Sequence, residues 1–91
     1  MTIQIQHNPK ESRFEAQVDG HLCVADYHLI GDVMVMPHTY VPAAVQGRGI
    51  AAALVAQALA HARAQRLKVD PRCSYVRSYM QRHPDTLSLQ A

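Results

Sequence analysis

Cys73, His38 and the segment Gln46-Gly47-Arg48-Gly49-Ile50-Ala51 are the parts of this chain best suited to chemistry. Cys73 follows Asp70-Pro71-Arg72 and opens a helical stretch. A thiol at a helix N-terminus beside an arginine is biased toward thiolate, the nucleophilic form. The competing reading is a small buried apolar filler, the usual fate of a free cysteine. Cys23, in mid-strand among apolar neighbours, takes that second reading. His38 lies near the end of a strand, where an imidazole titrating near neutrality could serve as a general base. The plainer alternative is a strand histidine with one satisfied hydrogen bond.

The segment from Gln46 to Ala51 stands where a strand gives way to an alanine-rich helix, and it holds two of the chain's four glycines. Glycine leaves backbone N–H groups uncovered at a helix start, where unpaired donors and the peptide dipole favour an anion. Gly47 and Gly49 would let a pyrophosphate approach the main chain, and Arg48 could add a charge-assisted contact. A Walker loop, GxxxxGK[ST], is absent, and the GxGxxG dinucleotide pattern fails at Ala52. A plain helix start eased by glycines stays open beside the anion site.

The elements that must position these residues follow from periodicity and turn chemistry. Thr2 to Gln6 alternates weakly and predicts a short edge strand, ended by Asn8-Pro9. Arg13 to Val18 alternates polar and apolar residues as a half-buried strand does. Asp19-Gly20 is a strong hairpin signal and leads into a strand over 22–30. Gly31-Asp32 makes a second tight turn into a strand over 33–41. Pro37 within that strand gives no N–H to a ladder, so a bulge or a free edge is expected there. From Gly49 to Ala64 the apolar spacing and the alanines predict a helix. A short strand at Leu67-Lys68-Val69 and a helix from Ser74 to His83 complete the pattern, and the tail 84–91 reads as frayed. The fold class is α+β: an antiparallel meander, then a helix, a short parallel strand and a C-terminal helix.

Ninety-one residues, 48% hydrophobic and 18% charged, describe one domain of modest size and argue against disorder. A net charge of +2 is too small to point to nucleic acid, although Arg63, Arg66, Lys68, Arg72, Arg77 and Arg82 gather in the second half. Such a half suits a polyphosphate ligand or is simply a solvated face. Two cysteines without a CxxC, no secretory signal and no membrane-length apolar run make the cytoplasm, with reduced thiols, the expected setting. His7, His21, His28 and His61 have no ligand spacing, so no metal site is expected. A monomer is the default.

Gln46-Gly47-Arg48-Gly49-Ile50-Ala51 resembles the [QR]-x-x-G-x-[GA] signature of GNAT-type N-acetyltransferases. The match is closer to the small single-domain GNAT-like proteins, in which H-T-x-V-P precedes the loop and L-K-V-x-P-x-C-x-Y-V-x-x-Y-x-x-x-H-P follows the helix. Here those patterns are His38-Thr39-Tyr40-Val41-Pro42 and the run from Leu67 to Pro84. The resemblance extends from His7 to Pro84 and implies a minimal GNAT-like domain that binds acetyl-coenzyme A. It implies that the loop amides of Gln46, Gly47, Arg48, Gly49, Ile50 and Ala51 hold the pyrophosphate. It also implies that the backbone of Thr39, Tyr40 and Val41 pairs with the pantetheine arm, in a slot opened where the strand at 67–69 splays away.

In the same way it makes Cys73 a candidate acetyl acceptor and Tyr79 a candidate acid for the leaving thiolate, with a core aromatic as the plain alternative. The implied activity is acetyl transfer to an amine, on a small molecule or an exposed lysine, with no nucleic-acid or membrane partner. The rivals are an acyl-coenzyme A binding or sensing module with little turnover, and a structural subunit without coenzyme A affinity. GNAT domains commonly carry a helical insert after the first strand, whereas here Ile5 leads to Arg13 through one turn. The cofactor half is therefore assigned and the acceptor half is not.

Overall fold

The computed structural model describes residues 3–91. Five strands form one sheet in the order β1-β2-β3-β4-β5, comprising β1 (Gln6–Asn8), β2 (Arg13–Val18), β3 (His21–Ile30), β4 (Val33–Tyr40) and β5 (Lys68–Asp70). The first four run antiparallel and β5 joins β4 in parallel. This is the α+β meander expected, with its helices α1 (Ile50–Ala64) and α2 (Ser74–Arg82) where the periodicity placed them. The first strand is displaced. The expectation began at Thr2, outside the described residues, whereas β1 forms at Gln6–Asn8 and pairs with Arg13–Glu15.

Asp19 and Gly20 both take positive φ, 49° and 76°, the two left-handed residues that a tight hairpin turn needs. The turn sets Val18 opposite His21, and alternation does the rest. Phe14, Ala16 and Val18 of β2 share a face with Cys23 and Ala25 of β3 and are buried with them. Onto that face α1 packs Ile50, Leu54, Val55, Ala58, Leu59 and Ala62, and α2 adds Val76, Tyr79 and Met80. Met34, Met36 and Val69 continue the same cluster beneath both helices. Among the described residues no helix covers the opposite face of the sheet.

The expected irregularity at Pro37 is present as a register shift. The Gly31-Asp32 turn pairs Ile30 with Val33 and His28 with Val35; carried on unchanged, that register would oppose Asp26 to Pro37. Asp26 instead opposes His38, because Met36 and Pro37 together face Tyr27. One extra residue on β4 reverses which face each later side chain occupies. Met34 and Met36 point to the helices, and beyond the bulge it is Thr39, opposite buried Ala25, that does so. His38 and Tyr40 project from the uncovered face.

Residues 84–91 differ from the frayed tail expected. Pro84–Leu89 forms a 3-10 helix, and the Ala91 amide donates to the Val69 carbonyl at 2.9 Å. Leu89 is only 7% exposed, and the Thr86 hydroxyl donates to the His83 carbonyl at 2.7 Å. Arg63 and Lys68 donate to the carbonyls of Asp85 and Ser88, both at 2.9 Å. Two cations of the basic half are thus engaged in fastening this segment. The signal for it, Leu87 and Leu89 among polar residues, is too short to read as a pattern. A further short 3-10 turn at Ala43–Val45 buries Val45 between β4 and the glycine loop.

Candidate active site

The β4–β5 ladder is short. Val33, Met34 and Val35 pair with Lys68, Val69 and Asp70, and the next contact is the Cys73 amide donating to the Met36 carbonyl at 2.9 Å. Asp70 then turns away through Pro71, held by the Arg72 amide on the Asp70 carbonyl and by Arg77, which donates to the carbonyls of Pro71 and Arg72. Beyond Met36 the outer edge of β4, Pro37–Tyr40, has no strand beside it among the described residues. That free edge runs toward the glycine loop.

The loop that follows carries a cluster of backbone donors. Gly47 and Gly49 sit at φ 83° and 76°, and Gly49 is the N-cap of α1 in the left-handed conformation. A Cβ at either position would meet nothing within 4 Å, so it is the backbone angle alone that favours glycine here, and the space beside the loop is open. Left-handed residues beside ordinary ones turn successive N–H groups into an anion-binding concavity. Val45 and Gln46 donate within the preceding turn and Ala53 to the Gly49 carbonyl, but the amides from Gly47 to Ala52 have no protein acceptor among the described residues. Gln46 closes the loop from its other end, its side-chain amide donating to the Val41 carbonyl at 3.0 Å. Arg48 donates to the Asp19 carboxylate at 2.7 Å, so it braces the loop against the β2–β3 hairpin.

Cys73 occupies the fork itself as the N-cap of α2, partly buried, with its Sγ 3.7 Å from the Thr39 hydroxyl. Burial pushes its pKa up, but the Val76 amide, the Thr39 hydroxyl and the Tyr75 and Thr39 amides outweigh that, and the net shift is downward. The cause differs from the sequence expectation in one respect. Arg72 is turned to the Asp70 carboxylate at 2.9 Å and plays no part. Cys23 is fully buried, and burial raises its pKa.

His38 and Tyr79 lie apart from this thiol. His38 is on the uncovered face, its side chain 56% exposed and its Nδ1 2.7 Å from the Asp26 carboxylate. It is the strand neighbour of Thr39 but on the opposite face, and past Met36 β4 is paired only with β3 among the described residues. Tyr79 is six positions along α2 from Cys73, about 240° around the helix at 3.6 residues per turn. It is 9% exposed, stacks on His83 at 4.0 Å, and lines a cavity of about 180 Å³ with Leu59, Arg63 and Leu89. Burial, then Tyr75 and Asp85, raise its pKa. Tyr79 therefore packs α2 against α1 and the C-terminal segment. Asp26 was absent from the sequence reading, because its partnership with His38 exists only through the one-residue shift at Pro37.

A five-strand mixed sheet that forks between β4 and β5 beside a donor-lined helix start defines an α+β class of fold. The model of the GCN5-related N-acetyltransferase family matches residues 13–89. Protein NATD1 of Gallus gallus is 34% identical over 85 residues, covering 90% of this chain and 77% of that protein. Protein NATD1 of Homo sapiens is 32% identical over 85 residues, covering 90% and 75%. The solution NMR structure of a GCN5-like protein from Staphylococcus aureus superposes with a TM-score of 0.76 at 21% identity, covering 97% of this chain and 87% of that one; at that identity it speaks for the fold. The chain belongs to the GCN5-related N-acetyltransferase family, whose general acetyl donor is acetyl-coenzyme A. Among the described residues no helix is long and apolar enough to cross a membrane, and no three His, Cys, Asp or Glu side chains converge as a metal site.

Proposed function

We propose that this chain binds acetyl-coenzyme A along the outer edge of β4 and transfers the acetyl group to an amine. The observation that carries the reading is the Cys73–Met36 hydrogen bond, which sets a thiol of lowered pKa at the point where the sheet edge becomes free. The main chain of Thr39 to Val41 offers the pantetheine arm strand-like partners. The amides from Gly47 to Ala51, uncovered at the start of α1, offer the pyrophosphate donors and a favourable dipole. Arg48 contributes by stiffening the loop through Asp19, a different role from the direct phosphate contact first expected.

Cys73 faces the thioester from the helix side and His38 faces the acceptor from the uncovered side. As thiolate, Cys73 can attack the acetyl carbon: a new S–C bond forms, the bond to coenzyme A breaks, and its electron pair leaves on the coenzyme's sulfur, which takes up a proton. An amine then attacks the acetyl carbon, gives its proton to His38, and releases Cys73. Calorimetry with coenzyme A, followed by mass spectrometry after incubation with acetyl-coenzyme A, tests the scheme. An acetyl group on Cys73 with release of one equivalent of coenzyme A, and further release that depends on added amine, are the expected results. Binding without release would favour the binding-module alternative, and no binding would reject both.

A further inference from the structure

We propose that Asp26 is a positioning residue for acetyl transfer, holding His38 in the tautomer that leaves Nε2 free to take the acceptor's proton on the uncovered sheet face. The inference rests on the acetyl-transfer reading above. Its geometry is that of a carboxylate–imidazole dyad. Asp26 Oδ2 lies 2.7 Å from His38 Nδ1. An ionised carboxylate only accepts hydrogen bonds, so Nδ1 carries the hydrogen and the neutral ring keeps its lone pair on Nε2. Free imidazole side chains in water favour the opposite tautomer, so the carboxylate makes the choice. Nε2 has no protein partner among the described residues.

The surroundings support a working site over a chance surface pair. Asp26 and His38 are direct cross-strand partners, placed so by the Met36-Pro37 bulge. Bulges re-aim side chains and often do so beside active sites. Tyr40, two residues on, lies on the same face with its ring nearly parallel to His38, the centroids 6.3 Å apart at an interplanar angle of 9°. Arg13, the cross-strand neighbour of Asp26 on β2, directs its guanidinium to Glu15 at 2.6 Å, so the hydrogen bond of Asp26 goes to His38. His38 is the strand neighbour of Thr39, whose hydroxyl meets Cys73 on the other face, and on the β5 side no strand borders β4 here among the described residues. When the amine nitrogen bonds to the acetyl carbon, the sulfur–carbon bond breaks with its electron pair going to sulfur. The proton shed by nitrogen passes to Nε2, and Asp26 stabilises the imidazolium that forms.

The test compares the wild type with Asp26→Asn, Asp26→Glu and His38→Gln. An exposed pair contributes little to folding, so these variants should fold. Long-range nitrogen–proton NMR should show His38 protonated at Nδ1 in the wild type and at Nε2 in Asp26→Asn. Turnover with a reactive amine should fall about ten- to a hundredfold in Asp26→Asn, within the range general-base catalysis contributes. Coenzyme A affinity should be unchanged, Asp26→Glu should recover part of the rate, and the double variant should be no slower than His38→Gln alone. Wild-type turnover in Asp26→Asn, or an Nε2–H tautomer in the unaltered protein, would overturn the positioning role alone. A wild type that binds coenzyme A but acetylates no amine would overturn the enzymatic reading and this role with it, whatever the tautomer.

Discussion

The amide of Cys73 donates to the carbonyl of Met36 at 2.9 Å, and that bond is the last main-chain tie between β4 and the chain that follows β5 among the described residues. It places a thiol, a helix N-terminus and the beginning of a free strand edge at one point. The hydrogen bonds around the Cys73 sulfur come from the main chain of α2 and from Thr39, so thiolate is favoured by positions the fold holds rigidly.

Cys73 should be the more reactive thiol. Its pKa is lowered and that of Cys23 is raised, so alkylation of Cys73 should extend to lower pH than for an unstructured cysteine, while Cys23 reacts only on unfolding. The linkage to stability has a definite sign. A thiol whose folded pKa lies below its unfolded one adds stability that is full above the unfolded pKa, about 8.5, and is lost as pH falls through the folded pKa. Cys73→Ser should therefore lose more stability relative to wild type at pH 9 than at pH 6. Mass spectrometry of alkylated protein and urea titrations at the two pH values check both statements; saturating acetyl-coenzyme A should protect Cys73.

Gly49 reports on the loop. Its φ of 76° makes a β-branched replacement strained, so Gly49→Val should cost about 1–3 kcal/mol of stability as well as affinity. Gly49→Asn tests the loop more cleanly, because asparagine tolerates the left-handed region and its Cβ meets nothing within 4 Å. That variant should keep a near-normal melting temperature and lose coenzyme A affinity by about tenfold, roughly 1.4 kcal/mol, through its side chain standing over the uncovered amides. Unchanged affinity by calorimetry would remove the loop from the site.

Tyr79→Phe separates packing from acid catalysis. The tyrosine is buried between α2, α1 and the C-terminal segment, away from Cys73. Its hydroxyl should be dispensable, with turnover staying within about twofold of wild type, whereas loss of a transition-state proton donor would lower kcat and kcat/KM together. Tyr79→Ala should destabilise the protein by about 3 kcal/mol, as loss of a buried aromatic does. Steady-state kinetics and thermal melts decide the matter.

Leu89→Ala should cost about 2–3 kcal/mol in urea unfolding, since the side chain is buried against α1 and α2. A tail that merely frayed would show no change. The same loss should leave coenzyme A affinity intact, because Leu89 lies on the cavity side of α2 and not at the fork.

Much of this protein could be read one short stretch at a time. The Asp19-Gly20 turn, the alternation of β2, the alanine-rich helix after Gly49 and the opening of α2 at Cys73 depend on residues adjacent in the chain. Backbone angles and side-chain period act at that range. The glycine loop and the thiol were legible for the same reason, and so was some disturbance at Pro37, which has no N–H to give. What Pro37 does to the strand was not legible, since a bulge is defined by the partner opposite it, here Tyr27, which lies on the other side of a turn. A one-residue shift sends every later side chain to the other face, so tertiary pairing alone decided that Thr39 meets Cys73 and that His38 meets Asp26. Long-range contacts likewise committed Arg48 to Asp19, set Tyr79 in the helix interface and fastened Leu89 to the core. Each joins residues distant in sequence, where nothing in the local pattern names the partner.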